Sequence, residues 1–255
     1  MSQTLRIASY NLLHGINLGR HGAVDLPAAA EIIGELDADL VALQEADRGL
    51  SRSGAMDQVA ELARALGMTG VFVPALLGSP DTSWTVCEAD DGGPAYGVGL
   101  LSRLPLADVV RRALPGGGPG TRGPGASLRN PGWDREPRVA LTTTALAGHR
   151  TIGITVTHLS YLPWRAVRQL RAAVPAIGEA PNVLVGDLNL PPMVVRSALP
   201  AWQHAGGGPT FPSWRPRLQM HHVLTHGSVD VAGATVHTRT TSDHRPLVID
   251  LALPV

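Results

Sequence analysis

Polar side chains of the kind used in catalysis follow a short uncharged run near the middle of the second half of the chain. We predict that Asn182–Val185 forms a buried strand and that Gly186 lets the backbone turn before Asp187 and Asn189. These last two residues are two apart, so in extended backbone they point to the same side. A carboxylate at the end of a buried strand needs a metal, a cation or a reacting water as partner. The stretch is therefore a functional candidate, although a polar turn after a core strand would give the same pattern.

The same arrangement recurs elsewhere in the sequence, where apolar or alternating runs end in polar residues. Carboxylate, amide and water oxygens without thiolates suit Mg²⁺ or Mn²⁺. A pair of histidines beside them suits the negative charge that grows on phosphate oxygens during a displacement reaction. The predicted strand ends supply Asn11, Glu45, His158, Asp187, Asn189, Asp243 and His244.

Composition narrows the classes of function. The 255 residues carry no linker-like stretch, and we read residues 1–255 as one domain. The 21 basic and 21 acidic residues balance, which weakens the case for a nucleic-acid partner without excluding one. All basic residues except histidine are arginines, so lysine chemistry is excluded, and the single Cys87 excludes an internal disulfide or a cysteine zinc cluster. No apolar run approaches the ~18 residues needed to span a bilayer, and we expect a cytoplasmic monomer without a transmembrane segment.

Helices and strands alternate along the predicted chain. Helices are expected over Pro27–Leu36, from about Met56 to Leu66, and over Trp164–Ile177, each with a hydrophobic face or a capping residue. Asp81–Gly93 is expected to be a polar loop. Residues 115–131 are rich in Gly and Pro, so we expect a long surface loop there, either a solvated segment or an arginine-flanked flap that faces phosphate.

Seven segments in order, spanning nearly the whole chain, resemble the endonuclease/exonuclease/phosphatase superfamily. They are SYNLL, LVALQE, YGVGLLSRLP, REPRVAL, VTHLS, VLVGDLN and TSDHRPL. That group includes deoxyribonuclease I, abasic-site endonucleases, neutral sphingomyelinases and inositol polyphosphate 5-phosphatases. The resemblance implies an α/β fold, a four-layer α/β sandwich in which two mixed β-sheets pack face to face with helices outside.

The resemblance also implies a metal site. Glu45 would be the principal Mg²⁺ ligand, Asn11 would lie beside it, and Asp243 would complete or support the metal shell. The expected cofactor is therefore Mg²⁺, with Mn²⁺ as a possible substitute.

Roles in catalysis and substrate binding follow from the same resemblance. Asp187 would orient or deprotonate the attacking water, and Asn189 would hold that water or a phosphate oxygen. His158 and His244 would hydrogen-bond the phosphoryl oxygens, and Arg135 would contact a substrate phosphate.

The sequence departs from the family pattern at two positions. His221 stands where most relatives have an Asp that pairs with the histidine corresponding to His244, so we expect a lower proton affinity of His244 and a shifted pH optimum. Alternatively, His158, His221 and His244 gather a softer metal such as Mn²⁺ or Zn²⁺. Val98 replaces a usual Asn, which removes one expected outer hydrogen bond.

The sequence predicts a metal-dependent phosphoesterase that acts on a phosphate-ester substrate by direct attack of water. It does not separate a nuclease from a small-molecule or lipid phosphodiesterase. A non-catalytic binding protein on the same scaffold, disabled at His221, is the alternative.

Overall fold

Two mixed β-sheets pack face to face, and helices cover their outer surfaces. The computed structural model describes residues 3–121, 134–174 and 181–253. The helices are α1 (Leu26–Glu35), α2 (Gln58–Leu66), α3 (Pro163–Ala173) and α4 (Pro192–Ala198). The strands are β1 (Gln3–Asn11), β2 (Ile16–Asn17), β3 (Ala23–Val24), β4 (Leu40–Arg48), β5 (Thr69–Gly78), β6 (Ser83–Val86), β7 (Ala95–Ser102), β8 (Leu106–Ala113), β9 (Gly120–Thr121), β10 (Val139–Ala147), β11 (Arg150–His158), β12 (Asn182–Asp187), β13 (Gln203–His204), β14 (His221–His226), β15 (Asp230–Val236) and β16 (Leu247–Leu253).

The strand order places the two ends of the chain next to each other. One sheet has the order β15-β16-β1-β4-β7-β5-β6-β9, and the other has the order β13-β14-β12-β11-β10-β8. Strand β1 pairs with β16 in antiparallel and with β4 in parallel orientation. The pairs β11–β12 (parallel) and β12–β14 (antiparallel) form the centre of the second sheet.

Three apolar clusters fill the three spaces between the four layers of the fold. The first fills the space between the sheets, with fully buried residues such as Ile7, Leu100, Val156 and Ile249. The second lies between the first sheet and α1 and α2, and the third lies between the second sheet and α3 and α4. Burial of such clusters contributes roughly 25 cal/mol for each Å² of apolar surface. The predicted four-layer α/β sandwich is confirmed.

Two of the predicted helices, α1 and α2, begin after an aspartate that caps the helix. The side chains of Asp25 and Asp57 accept hydrogen bonds from the amides of the third following residue, at 3.2 and 3.0 Å, and so satisfy free N–H groups of α1 and α2. Gly67 ends α2 in the left-handed conformation that glycine adopts without strain. The third helix ends at Ala173, and the remainder of its predicted span falls partly on residues 175–180, outside the described residues.

Several elements differ from the sequence-based expectation. The predicted polar loop Asp81–Gly93 contains β6, because Ser83 to Val86 adds to the edge of β5. Strand β8 was not predicted, since most of its side chains are exposed and show no alternation. Helix α4 was not predicted either; it begins at Pro192, and proline is well suited to the first turn of a helix. The predicted long loop contains the short strand β9, and its residues 122–131 lie outside the described residues.

The sheet registers bring the predicted site residues to one edge. His158 lies opposite Asp187, and Asp187 lies opposite His221, so one row of the second sheet carries all three. In the first sheet Asn11 lies opposite Gln44, next to Glu45. None of the helices in the described part of the chain has the length and apolarity needed to span a bilayer.

A buried histidine pair ties β13 to β14. The Nε2–H of His222 donates to the carbonyl of Leu190 at 2.9 Å, which leaves Nδ1 to accept from His204 Nε2–H at 2.7 Å. His204 Nδ1 in turn accepts from the amide of Gly206 at 3.2 Å. Every ring nitrogen is thus assigned as donor or acceptor, and both imidazoles are neutral. Burial lowers the pKa of His222 to about 3 and also lowers the pKa of His204.

We expect this pair to make the fold sensitive to acid. Because the unfolded histidines bind protons near pH 6.5 and the folded pair does not, the free energy of unfolding decreases as pH falls from about 6.5 toward 3. His222→Gln, whose amide can still donate and accept, should reduce that slope by up to about 1.4 kcal/mol per pH unit. Urea unfolding of both proteins between pH 7.5 and 5 measures it, and identical slopes would contradict the prediction.

Candidate functional site

The side-chain amide of Asn11 joins one carboxylate from each sheet. Its Nδ2 donates to Glu45 Oε1 at 3.1 Å and to Asp187 Oδ2 at 3.2 Å. Its Oδ1 accepts from the amide of Leu13 at 3.0 Å, which fixes the orientation of the amide. Asn11 is 1% exposed, so these hydrogen bonds are shielded from water. In this arrangement Asn11 reaches the carboxylates through its NH₂ group.

A β-bulge aims Glu45 at the site. The register between β4 and β7 shifts between Leu43 and Ala46, and Glu45 has a φ of 54°. An extra residue in a strand redirects a side chain that regular alternation would place elsewhere. A left-handed conformation at a non-glycine residue costs about 1–3 kcal/mol and persists only where the surroundings impose it.

Asp187 is almost completely buried, at 1% exposure. Its backbone position depends on Gly186, because a Cβ there would collide with the carbonyl oxygen of Thr157 on β11. Asp187 Oδ1 accepts from the amide of Asn189 at 3.2 Å. Burial raises the pKa of the Asp187 carboxyl, although His244 and the Asn11 amide oppose that effect. A buried carboxylate with a raised pKa is a stronger proton acceptor than one in water.

The structure places Asn189 against His158. Asn189 Nδ2 donates to the carbonyl of Leu159 at 3.0 Å and lies 3.2 Å from His158 Nε2. With both amide hydrogens used in this way, His158 Nε2 acts as acceptor and Asn189 Oδ1 is left for another donor. His158 Nε2 lies 3.9 Å from Asp187 Oδ2. Burial, and after it the charge of Arg138, lowers the pKa of His158 well below its usual value.

His221 and His244 stack beside Asp187. Their ring centroids are 5.0 Å apart with an interplanar angle of 13°, and His221 Nε2 lies 3.1 Å from His244 Nδ1. His221 Nδ1 donates to the backbone carbonyl of Ser9 at 3.2 Å. Burial lowers the pKa of His221 well below its usual value, so this ring is neutral. The atypical residue therefore lies in the centre of the site, in direct contact with His244.

Asp243 lies on the solvent side of the cluster, next to His244 in the chain. Its Oδ1 accepts from Ser242 Oγ at 3.2 Å, and its backbone carbonyl accepts from the amide of Ser213 at 2.7 Å. Burial raises the pKa of Asp243, and the nearby charge of Glu45 adds to that effect. Asp243 thus shares the electrostatic environment of Glu45.

Arg135 lies apart from these residues. It is exposed and lines an open cavity of about 810 Å³ together with Trp84 and Asp91, and none of the described residues lining that cavity belongs to the cluster around Asp187. The structure therefore does not bring Arg135 to the other predicted site residues. Its role in substrate binding remains a prediction that depends on the size of the substrate.

A second arginine, which the sequence reasoning did not select, lies next to His158. Arg138 is 5% exposed and pairs with Asp134 at 3.2 Å, while its Nε and Nη1 have no hydrogen-bond partner among the described residues. A cavity of about 10 Å³, lined by Tyr96, Val98, Arg138 and His158, has room for about one water molecule. Val98 lines this cavity together with the side chains of Arg138 and His158.

His14 is a further site residue that the sequence did not reveal. Its Nε2 lies 3.3 Å from Glu45 Oε2, and its Nδ1 lies 3.0 Å from Arg52 Nη2. Arginine only donates, so Nδ1 accepts and Nε2 carries the hydrogen that faces Glu45. Arg52 is held by Asp47 through two hydrogen bonds of 2.8 Å. His14 has a φ of 56° and follows Leu13 with a φ of 48°, and only this strained turn brings the ring to Glu45.

The donor atoms in the cluster fall into two chemical types. Glu45 and Asp243 offer carboxylate oxygens, which hard divalent ions such as Mg²⁺ prefer. Glu45 is partly exposed and is oriented by Asn11 and His14, so the residues present fit such an ion. Asp187, His221 and His244 form a second group in which two of the three donors are imidazole nitrogens.

Acidic, amide and histidine side chains thus gather where the strands of both sheets end. Residues 8–244 match the family model described as the Endonuclease/Exonuclease/phosphatase family. The match covers most of the chain, and the protein belongs to this family. No curated protein sequence matches the chain significantly.

Solved structures show the same fold at low sequence identity. An endonuclease/exonuclease/phosphatase from Beutenbergia cavernae is 23% identical, with a TM-score of 0.75 over 98% of this chain and 72% of that one. A mannosyl-6-phosphatase from Bacteroides thetaiotaomicron is 17% identical, with a TM-score of 0.69 over 97% and 99%. Truncated Caenorhabditis elegans TDP2 is 14% identical, with a TM-score of 0.65 over 98% and 97%. At these identities the likeness establishes the fold.

We expect the Asp47–Arg52 pair to contribute much of the rigidity behind His14. The Asp47 side chain is 0% exposed, and Asp47→Asn leaves Arg52 without its main counter-charge, so the free energy of unfolding should fall by about 3–5 kcal/mol. Asp81→Asn removes the second carboxylate that pairs with Arg52. Because the Asp81 side chain is 47% exposed, this change should cost less than about 1 kcal/mol. Urea unfolding of the two variants measures the difference; equal losses would contradict the assignment.

Proposed function

We propose that the protein is a metal-dependent phosphoesterase that hydrolyses its substrate by direct attack of water on phosphorus. The observation that carries this proposal is the bridge from Asn11 to Glu45 and Asp187, which holds two carboxylates from different sheets around one small volume. Membership in the Endonuclease/Exonuclease/phosphatase family supports it.

We assign Mg²⁺, or Mn²⁺ in its place, to Glu45, with Asp243 completing or supporting the shell. When bound there, the ion would neutralise charge on the phosphate and on the leaving oxygen. His14 and Asn11 hold the two oxygens of Glu45, which limits the carboxylate to one orientation. Asn11 serves this site by orienting Glu45, because its NH₂ group already faces both carboxylates.

Asp187 is the proposed base. It takes a proton from the attacking water while the water oxygen forms a bond to phosphorus and the bond from phosphorus to the leaving oxygen breaks. Burial, which raises the pKa of Asp187, makes it a better proton acceptor. Asn189 presents Oδ1, so we place it with the attacking water rather than with a phosphoryl oxygen.

His158 and His244 are the proposed contacts to the phosphoryl group. With Nε2 of His158 accepting from Asn189, the hydrogen of this neutral ring lies on Nδ1, which we assign as its donor. His221 Nε2 carries no hydrogen, so His244 Nδ1 donates to it, and a hydrogen bond from His244 Nε2 to a phosphoryl oxygen requires a second hydrogen on that ring. Arg138, buried beside His158 with two free donor nitrogens within the described region, adds positive charge on the same side.

We expect the substrate to be a compact phosphate ester, with small-molecule or lipid phosphodiesters favoured over duplex DNA. The formal net charge of zero provides no overall field for a polyanion. The open cavity beside Arg135 and Trp84 offers room for the part of the substrate beyond the phosphate, with Arg135 as a contact for a further anionic group.

The first test is hydrolysis of a chromogenic phosphodiester, its monoester counterpart and plasmid DNA, each with Mg²⁺, Mn²⁺ or a chelator. We expect turnover that requires metal and falls by about 10²–10⁴-fold in Asp187→Asn, because the base is lost. Asp230→Asn makes the same chemical change at an exposed acid on β15 and should leave the rate unchanged.

Metal-independent turnover, or full activity in Asp187→Asn, would overturn this function. Failure of all three substrates, followed by activity in His221→Asp, would instead favour the alternative that His221 disables a non-catalytic scaffold. If wild type is active, a change in its pH profile in His221→Asp would support the predicted effect of His221 on His244.

A separate prediction concerns His14. His14→Asn tolerates the left-handed conformation but is too short to reach Glu45, so we expect Mn²⁺ binding in the absence of substrate to weaken by about 10–100-fold. Isothermal titration calorimetry measures the affinity, and His149→Asn, at an exposed turn between β10 and β11, is the matched control. An affinity equal to that of the control would show that His14 does not position the ligand.

A further inference from the structure

Three donor atoms converge on one point: two come from the second sheet, and the third comes from the segment before β16. The distances are 3.1 Å from His221 Nε2 to His244 Nδ1, 3.6 Å from His244 Nδ1 to Asp187 Oδ2, and 3.9 Å from His221 Nε2 to Asp187 Oδ2. Ligands bonded to a tetrahedral Zn²⁺ at 2.0–2.2 Å lie about 3.3–3.6 Å from one another. The three measured distances lie within a few tenths of an ångström of that range, so small side-chain shifts would make all three atoms ligands of one ion.

We propose that Asp187, His221 and His244 bind a first-row transition-metal dication of the Zn²⁺ class, at a position distinct from that of the hard ion at Glu45. The chemistry of the donors separates the two positions. Imidazole nitrogen suits Zn²⁺, Co²⁺ and their neighbours, whereas Mg²⁺ prefers the oxygens of Glu45 and Asp243.

The orientation of His221 supports this assignment. A carbonyl oxygen only accepts, so the hydrogen bond to Ser9 places the ring hydrogen on Nδ1 and leaves a lone pair on Nε2, the atom that faces Asp187 and His244. A histidine that ligates a metal typically donates its other N–H to a carbonyl or carboxylate in this way. His221 is fully buried, and the ring is held by this bond and by its stack on His244.

A hydrogen bond between the two imidazoles would explain their 3.1 Å separation. It would leave the negative charge of Asp187 unbalanced. Asp187 is buried and shares the Asn11 amide with Glu45, a second carboxylate. Within the described part of the chain, no arginine pairs with Asp187. A buried carboxylate without a cation is costly, and a dication bound by two neutral imidazoles would offset that cost.

Occupancy of this position would suppress hydrolysis, a consequence that rests on the proposed function. The ion would take the Oδ2 lone pair of Asp187, which the attacking water needs, and would fix the ring of His244. Zn²⁺ and Co²⁺ would then inhibit the enzyme in the presence of saturating Mg²⁺.

The test is direct binding of Co²⁺ and Zn²⁺ to protein stripped of metal, without substrate. We expect one Co²⁺ per chain with the visible absorption of a four- or five-coordinate ion, and at least 100-fold weaker binding in His221→Asn. His226→Asn, at the other end of β14, should bind like wild type. X-ray absorption at the cobalt edge of the wild-type protein should show two imidazole ligands, a measurement that does not depend on how a variant folds.

Retained affinity in His221→Asn, or a cobalt spectrum without imidazole, would overturn the site. Inhibition of Mg²⁺-dependent turnover by Zn²⁺, at concentrations that match the measured binding, would support the regulatory consequence; turnover unaffected by Zn²⁺ at saturation would refute it. Metal binding as expected without any turnover would instead refute the proposed function and leave the site standing.

Discussion

One amide holds the two halves of the site together. Asn11 ends β1 in one sheet and donates to Asp187 in the other, while its second hydrogen reaches Glu45. Two carboxylates that approach each other in a buried space repel, and a shared donor offsets part of that repulsion. The bridge requires the sheets to face each other at a fixed spacing, which the apolar cluster between them sets. Packing far from the site therefore determines the distance between its acids.

Four of the eight non-glycine residues with positive φ in the described part of the chain lie around this bridge. Leu13, His14, Glu45 and Asn189 all have positive φ values, and each lies within the site or next to it. Together they cost several kcal/mol, which the surrounding sheets must exceed. What they provide is direction: the bulge turns Glu45 inward, and the turn after Asn11 brings His14 back to it. Regular strands alone would deliver the same residues to the same edge with their side chains pointing elsewhere.

The sequence alone identified the candidate site residues that lie at the end of a regular strand. Asp187 and His158 follow apolar runs, and parallel pairing of β11 with β12 then makes them neighbours. It was insufficient where placement depends on contacts between distant segments. His14 reads as part of a turn, and only the strained backbone shows that it reaches Glu45. Arg135 and Arg138 are two arginines of the same short segment, and the sequence does not distinguish them. Only the structure shows that Arg138 is buried beside His158 and that Arg135 lines the open cavity.

The presence of His221 in place of an acid changes the net charge of the site more than it changes the shape of the site. An aspartate there would add a third buried negative charge beside Asp187 and Glu45, and it would hold a positively charged His244. His221 is neutral, is fixed to Ser9 and still reaches His244, so the geometry persists while one negative charge disappears. Asp187 becomes the nearest carboxylate to His244, at 3.6 Å. The negative charge nearest to His244 therefore comes from the residue that we propose as the base. The predicted effect on His244 and the proposed transition-metal position therefore both depend on the same substitution.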